Sequence, residues 1–125
     1  TYLEIDKNVD SVLEIGCGSG YQAAILSQLI RRVFAIERIR NLVLEAKNKF
    51  KKLNINNINL KHDDGNIGWK NYAPFDRILF SATAQKIPKT LFEQLNNNGI
   101  LLAPILKNNK EIITQFKKQS GQIIK

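Results

Sequence analysis

The chain has 125 residues, of which 43% are apolar and 24% charged, and 19 Lys and Arg against 11 Asp and Glu give a net charge of +8. That is an ordinary globular composition in one domain's worth of chain, so disordered and collagen-like classes drop out and a single domain over residues 1–125 is expected. The longest apolar stretch, Ile100 to Leu106, is far short of the ~18 residues that cross a bilayer, no leader-like pattern opens the chain, and one Cys (Cys17) and one His (His62) support neither an intramolecular disulfide nor structural zinc.

Val12-Leu13-Glu14-Ile15 is a short, mostly apolar run ending at a glycine cluster, which predicts a buried parallel strand. Residues 21–30 then carry Ala23, Ala24, Leu26, Leu29 and Ile30 without a breaker and predict a helix starting just past Gly20. A second buried strand, Val33-Phe34-Ala35-Ile36, ends at Glu37. From Ile39, the residues Leu42, Val43, Ala46, Phe50 and Leu53 recur at helical spacing and predict an amphipathic helix. Residues 58–60 read as a weak third strand before the polar turn Asp63-Asp64-Gly65, and residues 75–80 as a fourth entered through Pro74. Trp69 and Tyr72 read as packing under the loop before that fourth strand.

Pro88 suits the first turn of a helix running through Leu91, Phe92 and Leu95, with Asn98-Gly99 as its stop. Residues 100–105 form a fifth strand, and Lys107-Asn108-Asn109 leaves no room for a crossover helix, so a sixth strand over residues 111–116 must return antiparallel. No element is assigned after Phe116. The alternation predicts a doubly wound, mostly parallel α/β sheet, Rossmann-like, with an antiparallel C-terminal strand.

In such a sheet ligands bind beyond the carboxyl ends of the strands, where the turn Gly16-Cys17-Gly18-Ser19-Gly20-Tyr21 lies. Glycines let backbone approach a ligand closely and the following helix offers unpaired N–H groups, which suits a dinucleotide pyrophosphate or the methionine part of S-adenosylmethionine. The G-x-G-x-G spacing after Glu14, without the later third glycine of the dinucleotide pattern, favours S-adenosylmethionine. Glu37, at the end of the second strand, is placed to accept hydrogen bonds from both ribose hydroxyls, and Asp64 to accept one from the adenine amino group. The lysines are scattered along the chain, so its positive charge reads as a solvated surface rather than a nucleic-acid face.

With these residues in view, the chain resembles the protein-L-isoaspartate O-methyltransferase family, repair enzymes of the class I S-adenosylmethionine-dependent methyltransferases. The run from Val12 to Ala24 follows that family, including Tyr21-Gln22-Ala23-Ala24, which general methyltransferases lack. So do Ile36-Glu37-Arg38, Asp64-Gly65-Asn66-Ile67-Gly68-Trp69, Ala73-Pro74-Phe75-Asp76-Arg77-Ile78, and Ser81-Ala82-Thr83-Ala84 with Ile87-Pro88. The resemblance implies methyl transfer from S-adenosylmethionine to the α-carboxyl of isoaspartyl residues in damaged proteins, leaving S-adenosylhomocysteine. It implies a cofactor set of Glu14, Gly16, Cys17, Gly18, Gly20 and Tyr21 around the methionine end, Glu37 and Arg38 at the ribose, Asp64 and Gly65 at the adenine, and Ser81 nearby.

The family's leading Ser-Gln-Pro segment and its closing β segment have no counterpart here, so a core lacking lid and C-terminal end is expected. Asp63 and Thr83 stand where the family more often has Gly and Ala, and Gln85 where it has Pro. Two further readings therefore stand beside the repair enzyme: a non-catalytic cofactor-binding module, and a methyltransferase for another acceptor. The substrate carboxyl, with a pKa near ~4, is already ionised at neutral pH, so no general base is nominated. Ser81 and Thr83 are the candidates for lining the acceptor site, and Cys17 and His62 are not read as nucleophiles. A cytoplasmic monomer is expected, with isoaspartyl proteins or peptides as partners, and no metal, specific nucleic acid or membrane.

Overall fold

A computed structural model describes residues 3–125. In chain order it contains β1 (Ser11–Ile15), α1 (Tyr21–Leu29), β2 (Arg32–Glu37), α2 (Arg40–Lys52), β3 (Ile58–His62), β4 (Phe75–Phe80), α3 (Lys89–Glu93), β5 (Leu95–Lys107), β6 (Lys110–Gln119) and β7 (Gln122–Ile124). The strands form one sheet in the order β3-β2-β1-β4-β5-β6-β7. Pairing is parallel from β3 to β5 and antiparallel from β5 to β7. The predicted α/β class and the antiparallel return are both present. No helix among the described residues is long and apolar enough to cross a membrane.

Side chains alternate across the sheet and bury two separate cores. Val12, Val33 and Ala35 face α1 and α2, meeting Ala23, Leu26, Ala46 and Phe50. Leu13, Phe34, Ile36 and Ile78 face the other way and meet Leu91 of α3. Each fully buried Leu, Ile or Phe contributes about 1.5–3 kcal/mol. Trp69 and Tyr72 pack as expected, with Phe34 stacked on Tyr72 at 4.7 Å between ring centroids and edge-on to Trp69 at 5.7 Å.

Three elements differ from the sequence reading. The helix after Pro88 ends at Glu93, because the Gln94 carbonyl accepts from Phe75 N–H at 2.8 Å and Leu95 already pairs with Phe75 in the sheet. Asn98, at φ +67°, therefore lies inside β5, where the register against β4 shifts between Phe75 and Arg77. In α2 the buried face is only Val43, Ala46 and Phe50. Ile39 and Leu53 are the caps that flank the helix, and both are exposed; Asn54, at φ +56°, turns the chain directly after Leu53.

The third difference is β7, which is reached through Ser120 and Gly121 at φ +51° and +80°. The β5–β6 hairpin uses the same device at Asn108 and Asn109, φ +51° and +61°. Two consecutive positive φ values give the tight turn whose twist matches paired strands.

The amide of Asn57 closes the end of α1 by donating to the carbonyls of Ser27, Ile30 and Arg31 at 2.9, 3.0 and 3.1 Å. Asn57→Ala leaves the half-buried Ser27 and Ile30 carbonyls without that donor, and urea unfolding is expected to show a loss of about 1–3 kcal/mol.

Candidate functional site

The strand order reverses between β1 and β4, since the chain leaves β1 for β2 on one side and returns to β4 on the other. An open cleft of about 1040 Å³ lies at that switch point. Ile15, Ile36 and Phe80 form its apolar floor, and Gly16, Asp64 and Gly65 border it. Thr83 to Lys86 make the wall beyond β4.

The glycine turn passes through positive φ at Gly16 (+78°), Gly18 (+58°) and Gly20 (+91°). At Gly20 an added Cβ would lie 2.6 Å from Phe50 and 3.0 Å from Ala46, so the turn can sit on α2 only with glycine there. Gly20 caps α1 without any side-chain hydrogen bond, leaving first-turn N–H groups open to a ligand.

Glu37 holds this turn in place. Its carboxylate is buried and accepts from Gly18 N–H at 2.8 Å on Oε1 and from Ile39 N–H at 2.9 Å on Oε2. Each oxygen keeps a further lone pair, so the carboxylate can still accept from the two hydroxyls of a ribose.

Beyond β3, Asp63 accepts from Asp64 N–H at 2.7 Å and pairs with Lys61 at 3.1 Å, and both hold its carboxyl below the ordinary value. Asp64 in turn accepts from Asn66 N–H at 2.9 Å. Gly65 lies against the floor so tightly that a Cβ would be 2.3 Å from Ile15 Cγ2. The segment is pinned from behind by Gln94, which accepts from Trp69 N–H at 2.9 Å and donates to the Ile67 carbonyl at 3.1 Å.

Of the residues nominated from sequence, Gly16, Arg38, Asp64, Gly65 and Thr83 line the cleft directly. Glu14, Cys17, Gly18, Gly20 and Glu37 belong to the turn and the strand ends behind it. Tyr21 opens α1 with 71% of its surface exposed and lies in a shallow groove with Ile25, Lys49 and Leu53. Ser81 donates its hydroxyl to Glu14 Oε2, and Thr83 donates to Glu111 of β6.

Sequence reasoning missed the apolar floor, although strand alternation puts Ile15 and Ile36 on one face at the strand ends. It also missed Gln94 and the Ser81–Glu14 contact. No local pattern encodes either.

Cys17 is buried, and desolvation, reinforced by Glu14 and Glu37, pushes its thiol up to about 12. It stays protonated at neutral pH and is no nucleophile. His62 Nε2 lies 3.0 Å from the Arg38 carbonyl at the cleft's edge. Among the described residues no cluster of His, Cys, Asp and Glu could hold a metal ion.

A family model for protein-L-isoaspartate(D-aspartate) O-methyltransferase matches residues 1–125. The chain belongs to this family. The Helicobacter pylori (strain G27) protein-L-isoaspartate O-methyltransferase is 59% identical over 122 residues, covering 98% of this chain and 58% of the relative. That of Vibrio vulnificus (strain YJ016) is 41% identical, covering 94% and 56%. The chain thus spans somewhat over half the length of these curated relatives.

A solved structure of a protein-L-isoaspartate O-methyltransferase superposes with a TM-score of 0.90 at 31% identity, covering 98% of this chain and 40% of the other. A Plasmodium falciparum protein described under the same activity, crystallised with S-adenosyl-L-homocysteine, gives 0.82 at 25% identity, covering 92% and 60%.

Glu14 is fully buried, and burial pushes its carboxyl from 4.5 up to about 7, the Ser81 hydroxyl acting in the opposite direction. The folded chain holds this proton where the unfolded chain has released it, so stability present below pH 4.5 is lost as pH rises through about 7. The loss reaches up to about 3 kcal/mol. Urea unfolding at pH 5 and pH 8 is expected to show that fall in the parent chain and its absence in Glu14→Gln.

Proposed function

We propose that this chain is the cofactor-binding core of a protein-L-isoaspartate O-methyltransferase. The reaction inferred is methyl transfer from S-adenosylmethionine to the α-carboxyl of isoaspartyl residues in damaged proteins or peptides. The observation that carries this reading is the cleft at the β1/β4 switch point, bordered by the glycine turn and Asp64-Gly65 with Glu37 behind, in a fold shared with a relative crystallised with S-adenosyl-L-homocysteine.

The residues present fit that cofactor. The buried Glu14 Oε1 has no hydrogen-bond partner and suits the methionine ammonium, and open N–H groups at the start of α1 suit its carboxylate. Glu37 and Arg38 lie at the ribose end, and Asp64 and Gly65 border an apolar floor wide enough for a base. Gly16, Cys17, Gly18, Gly20 and Tyr21 contribute the turn and the head of α1. When bound, S-adenosylmethionine supplies a methyl group on a positively charged sulfur.

The work left to the chain's own residues is alignment and exclusion of water. An ionised carboxylate is already a nucleophile, so no side chain has to remove a proton. Thr83 lines the wall at the acceptor end, and the isolated bridge of Ala84 to Ile105 fixes that wall to β5.

A polypeptide of the relatives' length carrying this segment is expected to methylate an isoaspartyl peptide with labelled S-adenosylmethionine; no incorporation into that peptide would overturn the reading. Glu37→Ala removes the acceptor for both the turn and the ribose. Titration calorimetry should then show S-adenosylhomocysteine binding weakened by at least about tenfold, the equivalent of one charge-assisted hydrogen bond.

A further inference from the structure

Among the described residues, Glu14 Oε1 is the buried side-chain oxygen left without a hydrogen-bond partner. The other oxygen of the same carboxyl accepts from the Ser81 hydroxyl. Ser81 is set for this contact by its backbone, whose N–H donates to the Ile15 carbonyl at 3.0 Å and continues the β1–β4 pairing one residue past Phe80. Alternation then turns Ser81 to the face that Glu14 occupies.

The charged and titratable groups around Glu14 supply no cation. β2 presents the Glu37 carboxylate and the turn presents the protonated Cys17 thiol. β4 presents Leu79 and Ser81. Lys49 of α2 reaches the turn but donates to Ser19 Oγ at 3.3 Å. An ionised Glu14 would be an uncompensated buried charge beside a second carboxylate, which favours the neutral acid until a cation arrives.

We propose that Ser81 is a positioning residue for ligand uptake: its hydroxyl fixes the Glu14 carboxyl so that the unpartnered oxygen receives the ligand's cationic amino group, and Glu14 releases its proton to solvent as that group binds. The inference rests on the cofactor reading above, since the ammonium of the methionine moiety is the cation. In the exchange the carboxyl O–H bond breaks, the proton passes to water and then to buffer, and the carboxylate accepts an N–H from the ammonium. Ser81 keeps its bond to Oε2 throughout, which places it with the cofactor rather than with the methyl acceptor.

The test is titration calorimetry of the chain with S-adenosylhomocysteine between pH 6 and pH 7.5, in buffers of different ionisation enthalpy. With a free-state carboxyl at about 7, binding is expected to be roughly eightfold tighter at pH 7.5 than at pH 6, with close to one proton released at pH 6. Ser81→Ala removes the donor that favours the ionised form, so the rising limb should move to higher pH, and Ser81→Thr should restore it. Glu14→Gln should be flat, whereas His62→Asn, which removes the cleft's imidazole, should keep the slope.

Affinity that is flat with pH in the parent chain, a Ser81→Ala profile that matches the parent, or a slope lost in His62→Asn and kept in Glu14→Gln would each overturn this inference alone. Absence of binding at every pH would overturn the cofactor reading and this inference with it.

Discussion

The site depends on one buried carboxylate. Glu37 closes β2 and spends its two oxygens on the N–H groups of Gly18 and Ile39, tying the glycine turn after β1 to the entry of α2. Without it Gly18 N–H would be left unanswered next to a buried acid, Glu14, and the turn would be held over the strand ends only by the Gly16 and Cys17 N–H bonds to the Ile36 carbonyl and by packing. Gly20 rests directly on Phe50 and Ala46, so the turn packs straight onto α2. The cleft's wall on this side is therefore a consequence of packing and of a single side chain that bridges two loops.

Much of what makes the sequence recognisable braces the sheet instead of touching the cleft. Asp76 accepts from Asp10 N–H at 2.8 Å and from the Asn96 amide at 3.1 Å, at the end of the strands away from the cleft. Arg77 is buried and donates to the carbonyls of Leu3 and Glu4, each at 2.7 Å, so it holds the leading segment against the sheet. Burial lowers its guanidinium from the ordinary value, while nearby acids oppose the shift. Gln94 does comparable service on the other face, where Gly68 leaves no room for a Cβ beside its amide. The family's motifs thus include residues that brace the sheet as well as residues that line the cleft.

The two hydroxyls nominated from sequence for the acceptor side show how far tertiary contacts decide a side chain's partner. Ser81 and Thr83 were legible as hydroxyls at the end of a strand. The structure commits the first to Glu14 and the second to Glu111, a residue of β6. Such pairings join positions far apart in sequence, and they exist only once β4 has been laid between β1 and β5. The short α3 has a similar origin, since the Gln94 carbonyl is captured by β4 before the helix can continue.

The sequence by itself determined the alternation of strands and helices, the glycine turn with its acidic neighbours at strand ends, and the family, because apolar period, glycine spacing and strand-end position are local properties of the chain. The Ser120-Gly121 pair that forms the last hairpin was legible in the same local sense, though it stood unread. Only the tertiary structure decided which side chains meet: Glu37 with Gly18, Ser81 with Glu14, Gln94 with Trp69. It also decided which acid is left short of a partner. These are long-range contacts made by closing the sheet, and no short window of sequence contains both halves of any of them.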